Sequence, residues 1–180
     1  EDPLLAIAVQ AADCVPLLIA DRRLGVVAAA HAGWRGLAQR VPAKVVDDLT
    51  RVYGSNPGDL IVAIGPSVGS CCYEVGPDVI DAFASAGFSA VERRQWFLPA
   101  PSPTNLNPSM PGLRSEPRPD HAYFDGWACA RSQLLNAGVP DTQVFAPGIC
   151  TASHAVLCSY RRDGRAAGRM VGVIRAPQRA

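Results

Sequence analysis

The chain has 180 residues, 48% apolar and 18% charged, with a net charge of +1. Such a length and composition fit one globular domain with a substantial core, and the near-neutral balance argues against nucleic acid or an acidic membrane as the principal partner. No apolar run approaches the ~20 residues that span a bilayer. The opening Glu1-Asp2-Pro3 has neither an initiating Met nor a signal-peptide pattern, so the chain is expected to be cut from something longer. Cysteines at 14, 71, 72, 129, 150 and 158 do not read as a disulfide framework. The chain is too long and apolar to need stapling, Cys71 and Cys72 are adjacent, and no C-x-x-C pair suggests a zinc ribbon. Reduced thiols and a cytoplasmic location are expected.

In chain order, Leu4 to Val9 (LLAIAV) predicts a buried strand leading into Gln10 to Cys14. Val15 to Ala20 (VPLLIA) and Val26 to Ala30 (VVAAA), joined by Asp21-Arg22-Arg23-Leu24-Gly25, predict a β-hairpin. If Ala20 pairs near Val26, Val15 pairs near His31 and Cys14 lands at the same end. Cross-strand neighbours stand about 5 Å apart, so a thiolate and an imidazole 17 positions apart in sequence can share one metal ion. A lone Cys or His at a strand end is more often a packed core residue. Together, with Asp13 before the Cys and a Gly-rich cationic turn after the His, they point to a site.

From His31 onward the spacing turns helical, with Leu37, Val41, Val45, Leu49 and Val52 recurring at three or four. This predicts a helix from about Arg35 to Tyr53, ended by Gly54, with its first turn separated or kinked at Pro42. Strand, Gly33-Trp34-Arg35-Gly36, helix is an arrangement that gathers free backbone N–H groups and can hold an anion. Asp59 to Ile64 predicts a buried strand. It runs into a Gly- and Pro-rich loop from Gly65 to Pro77, in which Cys71 and Cys72 read as buried rather than reactive. Pro77 opens a short helix over Asp78 to Ala86, ending near Gly87. Pro99 to Asp120 holds seven prolines in 22 residues and reads as a surface excursion without secondary structure. Trp127 to Ala137 predicts a helix, Thr142 to Ala146 a strand and Met170 to Ile174 a closing strand. The blend predicts an α+β fold with mixed strands and helices packed outside them.

Four segments occur in order: Ala12-Asp13-Cys14-Val15-Pro16; His31-Ala32-Gly33-Trp34-Arg35-Gly36; Gly65-Pro66-Ser67 through Cys72-Tyr73-Glu74-Val75-Gly76; and Ser159-Tyr160-Arg161-Arg162-Asp163-Gly164. Together they resemble the YfiH-type laccase-domain family, also called polyphenol oxidase or purine nucleoside phosphorylase-like proteins. The resemblance spans nearly the whole chain, as a single domain apparently lacking its N-terminal segment. It implies a mixed β-sheet sandwich with flanking helices, shared with the catalytic domain of cytotoxic necrotizing factor. It also implies a zinc-dependent enzyme that phosphorolyses adenosine, inosine, guanosine or methylthioadenosine and deaminates adenosine; an older label makes the metal copper and the enzyme a laccase. Cys14 and His31 match two of the family's three metal ligands. The third, a histidine in a Gln-x-His-Gly motif, is expected upstream of Glu1; His121 and His154 do not sit in that motif.

Three protein ligands leave a fourth zinc position for water or substrate. Phosphorolysis needs a held phosphate below C1′ and stabilisation of the departing purine. Arg35 is the first candidate for the phosphate, ahead of Arg161 and Arg162, and Asp13 is a candidate proton shuttle in deamination. The expected partners are thus a purine nucleoside and phosphate, with no nucleic acid or membrane. Three rival readings are a metal-free hydrolase or deamidase with Cys14 as nucleophile and His31 as base, a copper phenol oxidase, and a non-enzymatic binding domain.

Overall fold

The computed structural model describes residues 5–110 and 116–177. Residue 4 of the predicted first strand and residues 111–115 of the proline-rich stretch lie outside them. The hairpin forms as predicted: β2 (Val15–Asp21) runs antiparallel to β3 (Val26–Ala32). The turn closes because the Asp21 carboxylate accepts the N–H groups of Arg23 and Leu24, each at 2.9 Å, while Gly25 donates to the Asp21 carbonyl. On its other edge β2 pairs with β4 (Leu60–Ile64), and β4 pairs in parallel with β8 (Val144–Phe145), giving a four-stranded sheet ordered β3-β2-β4-β8.

Alternation along β2 divides the two faces. Val15, Leu17 and Ile19 are buried in a core shared with Val46 and Leu49 of the helix over Val41–Tyr53 and with Cys129, Ala130 and Leu134 of the helix over Gly126–Asn136. The opposite face, with Pro16 and Leu18, is backed by a two-stranded ladder of β1 (Ala6–Ala11) and β9 (Met170–Arg175). The first strand therefore starts two residues later than its sequence suggests and is not a buried strand: only Val9 and Ala11 are buried, and Ile7 is exposed. Its sole strand neighbour among the described residues is β9, so the ladder's outer edges are unpaired there, and Ile7, Val171 and Val173 are exposed.

The helix predicted after His31, with its first turn separated or kinked at Pro42, is two helices. They are α1 (Trp34–Ala38) and α2 (Val41–Tyr53), parted where Arg40 takes a left-handed conformation (φ 61°) and Pro42 enters the first turn of α2. A proline has no N–H to donate and is tolerated only there. Next come α3 (Pro77–Ser85) and α4 (Ala90–Trp96), the latter without a sequence expectation, then α5 (Gly126–Asn136) and the single turn α6 (Tyr160–Asp163). Also unanticipated is a small sheet of β5 (Glu74–Val75), β7 (Ala122–Phe124) and β6 (Phe97–Leu98), where Phe83, Phe88, Trp96, Phe97 and Phe124 pack edge to face or tilted, with Phe97 stacked on Phe124. The strand expected over Thr142 to Ala146 shrinks to Val144–Phe145 because Asp141–Gln143 forms a 3₁₀ turn. The described part of the proline-rich stretch has no helix or strand, yet it is pinned by the buried Asn107. The Asn107 side-chain oxygen accepts from the Cys150 N–H at 2.6 Å, and its amide donates to the Gly148 carbonyl. No helix of the described residues is long and apolar enough to cross a membrane.

Candidate functional site

Register decides what the hairpin brings together. Pro16 stands opposite His31 and Val15 opposite Ala32, one step from the expected pairing of Val15 with His31. The difference is decisive, because a one-residue slip moves every side chain to the other face. In the expected register His31 would share the core face with Val15; in the observed one it shares the face of Pro16, next to the bend that carries Cys14. Gly33 confirms the meeting point. A Cβ placed on it would stand 2.9 Å from the Cys14 Sγ and 3.9 Å from the His31 Cε1, so both side chains face the same small gap. Only glycine leaves the sulfur that room.

Cys14 is half-buried and His31 exposed, with no hydrogen bond between them. Burial, and then the neighbouring Asp13 carboxylate, raise the Cys14 thiol pKa against the pull of Arg169. Among the described residues, no third His, Cys, Asp or Glu joins Cys14 and His31 within metal-sharing distance. His121 hydrogen-bonds the Pro119 carbonyl, and His154 the Asn107 side chain. Cys14 and His31 thus present one sulfur and one imidazole beside the same gap.

Cys14 also lines a cavity of about 310 Å³ at this end of the hairpin. Its walls are Trp34 and Leu37 of α1, Val68 and Tyr73 of the loop after β4, Phe124, and Tyr160 with Arg161 of α6. Tyr73 meets Phe124 edge to face at 5.9 Å and carries the Arg161 guanidinium 5.1 Å from its ring centre. Burial pushes the Tyr73 phenol up to about 12.

Asp13 is buried at this wall with both carboxylate oxygens engaged: Oδ1 accepts from the Thr151 hydroxyl at 2.5 Å and Oδ2 from the Arg161 N–H at 2.6 Å. It ties the segments carrying Cys14, Cys150-Thr151 and Arg161 into one wall. Arg35, the first sequence candidate for an anion, is exposed and stacks 4.0 Å over the Trp34 ring instead of lining the cavity. Arg161 is the arginine in the wall, its guanidinium also donating to the Glu74 carbonyl at 3.0 Å. Arg162 turns away and straps the following loop, donating to the carbonyls of Thr151, His154 and Leu157.

Tyr73 and Tyr160 lie inside the motif segments, and Phe124 carries no sequence signal of its own. A second convergence has no signature in the sequence: Cys71, Cys72 and Cys150 gather with their sulfurs within 4.8 Å of one another. All six cysteines are free thiols.

Comparison with known proteins agrees with this architecture. The solved structure of Bacillus licheniformis hypothetical protein YfiH superposes with a TM-score of 0.81 at 32% identity, covering 98% of this chain and 59% of that one. A Bacteroides thetaiotaomicron purine nucleoside phosphorylase is 33% identical over 174 residues, which is 96% of this chain and 57% of the relative. An adenosine deaminase from an unknown prokaryotic organism is 34% identical over 166 residues, 92% of this chain and 56% of the relative. The chain therefore spans little more than half the length of the curated relatives it matches. A family model described as multi-copper polyphenol oxidoreductase laccase matches residues 1–177, and the chain belongs to that family, the YfiH-type laccase-domain proteins.

Proposed function

We propose that the protein of which this chain forms the site cleaves purine nucleosides with phosphate and deaminates adenosine. The observation that carries this reading is the cavity beside Cys14: about 310 Å³, at the lower end of the ~300–1,000 Å³ usual for small-molecule sites. Aromatic side chains wall it on several sides and Arg161 supplies positive charge. Flat rings suit a purine, and the guanidinium suits an oxyanion. The phosphorylase and deaminase names of relatives support the same substrate class.

In phosphorolysis a phosphate oxygen forms a bond to C1′ as the C1′–N9 bond breaks. The bond electrons leave with the purine, which is then protonated. Arg161 holds the incoming phosphate, with Arg35 contributing longer-range charge from the rim. Trp34, Tyr73 and Phe124 hold the base and keep water from C1′. Asp13 acts as a positioning residue, fixing the backbone of Arg161 against the strand that carries Cys14. A zinc ion held by Cys14, His31 and a further ligand would supply a Lewis acid at the purine and an activated water for deamination.

The metal-free hydrolase reading needs His31 to hydrogen-bond the Cys14 thiol, and the two are not so joined. A multi-copper centre needs several clustered ligands; His121 and His154 do not group with this pair among the described residues. The test is to incubate the full protein with inosine or adenosine, with and without phosphate. Base and ribose 1-phosphate should appear in step with phosphate. Equal base release without phosphate would mean hydrolysis, and ammonia alone a pure deaminase.

A further inference from the structure

Behind the cavity wall lies a second group of ligating atoms that the nucleoside reading does not use. Cys71, Cys72 and Cys150 are 1%, 1% and 0% exposed. Cys71 and Cys72 Sγ are 3.5 Å apart, and all three sulfurs lie within 4.8 Å of one another. A fourth donor completes the group: Ser153 Oγ lies 3.5 Å from Cys71 Sγ and 3.4 Å from Cys72 Sγ. Its hydroxyl hydrogen goes to the Pro108 carbonyl at 2.9 Å, so its lone pairs are turned to the sulfurs. The Gly69 N–H donates to Cys150 Sγ at 3.2 Å, a contact that steadies a negative sulfur.

We infer that Cys71, Cys72, Cys150 and Ser153 form a closed binding site for a thiophilic divalent ion of the Zn²⁺ type, distinct from Cys14 and His31. Thiols packing as small apolar groups would account for burial alone. They would not account for a third sulfur within 4.8 Å of two sulfurs and a hydroxyl that stand 3.4–3.5 Å apart, near the ~3.8 Å edge of a coordination tetrahedron with Zn–S bonds of ~2.3 Å. Soft sulfur ligands select Zn²⁺ over Mg²⁺ or Ca²⁺. Binding would release the thiol protons, three thiolates and one neutral hydroxyl then facing the dication. Val68 and Ala152, with Tyr73, Met110 and Trp127, enclose the group in apolar surroundings, where metal–thiolate bonds are shielded from water.

The placement gives the ion a task. Cys71 and Cys72 belong to the loop whose Val68 and Tyr73 line the cavity, and Cys150 precedes the Thr151 that holds Asp13. Through Pro108 and Asn107 the same cluster reaches the proline-rich stretch. One ion would brace three otherwise irregular segments against each other.

The experiment uses the full protein carrying Cys14→Ala and His31→Ala, so that zinc at the first site cannot be counted. The reduced protein is stripped with chelator, given zinc alone and desalted, and its zinc content is measured. One zinc per chain should remain, with three sulfur neighbours by X-ray absorption. Adding Cys150→Ala should weaken zinc binding by more than ~10-fold, since loss of an outer-shell partner alone costs that much. Cys72→Ala serves if Cys150→Ala does not fold by circular dichroism. Zinc should also slow alkylation of Cys71, Cys72 and Cys150 in the otherwise unaltered chain. Zinc far below one per chain, unchanged affinity after removal of either cysteine, or a coordination shell without three sulfurs would overturn the assignment.

Discussion

Pro16 faces His31 directly across the β2–β3 ladder, and the nearby Gly33 lies against both the Cys14 sulfur and the His31 ring. Because His31 is exposed and Cys14 only half-buried, neither is a pillar of the core. His31→Ala should therefore leave the denaturation midpoint of the full protein nearly unchanged. It should lower metal affinity by more than the ~10–100-fold typical of losing an outer-shell partner. Metal analysis alongside urea unfolding checks both halves.

Gly33→Ala tests the same spot without removing a ligand. The new methyl would stand 2.9 Å from the Cys14 Sγ, so the sulfur must move. Activity and metal affinity should fall while circular dichroism stays native. Full activity in Gly33→Ala would show that the position of Cys14 Sγ is unimportant.

The two arginines make opposite predictions. Arg161 lines the cavity and Arg35 lies over Trp34 outside it. Arg161→Ala should raise the KM for phosphate substantially, and Arg161→Lys should recover part of the loss. Arg35→Ala should have the smaller effect. Steady-state kinetics with phosphate varied at saturating nucleoside distinguishes them, and a larger effect at Arg35 would reverse the assignment.

Asp13→Asn keeps the size of the side chain but offers one good acceptor to two donors, Thr151 Oγ1 and the Arg161 N–H. A lost hydrogen bond to a charged group costs ~1.5–3 kcal/mol, so the unfolding free energy should drop by about that amount. Thr151→Val, which removes one donor, should be milder. If Asp13→Asn were as stable as the parent, its positioning role would be excluded.

One contribution to acid sensitivity is expected from α4. Ser89 and Glu92 form a reciprocal cap in which the Ser89 hydroxyl and N–H donate to the Glu92 carboxylate, at 2.7 and 2.8 Å, and lower its pKa below the ordinary 4.5. A depressed carboxylate pKa stabilises the fold above the unfolded value, and that gain is lost as pH falls through the folded value. Glu92→Gln should flatten the part of the stability curve below pH 4.5 that this group causes, and Ser89→Ala should cost about 1 kcal/mol near neutrality. Thermal melts across pH test both.

What the sequence reveals follows from segment length. The hairpin, β4, α3 and α5 were legible because each has five or more residues of one pattern, bounded by Gly, Pro or a cap. β5 and β6, of two residues each, and β7, of three, carry no readable period and form because Glu74 and Leu98 meet Tyr123 from its two sides. The capping sequence Ser89-Ala-Val-Glu92 was present but preceded no apolar stripe, Trp96 being the sole buried residue of α4. For the site, the closeness of Cys14 and His31 was legible and their register was not, since pairing shifts by one residue without altering either apolar run. Arg161 could not be ranked above Arg35 from spacing alone, because both follow an aromatic residue in a motif. Cys150 lies 78 positions from Cys72, and the Ser67–Cys150 bridge and the Gly69 N–H bring it there.

The most direct measurement of the central proposal is metal-dependent base release by the full protein. Protein stripped of metal is given zinc in the presence of inosine and phosphate, beside Cys14→Ala treated in the same way. Phosphate-dependent hypoxanthine release should return on adding zinc to the parent and stay absent in Cys14→Ala. Activity that is equal in stripped and reloaded protein, or undiminished in Cys14→Ala, would contradict the assignment of Cys14 and His31 as metal ligands of a nucleoside-cleaving site.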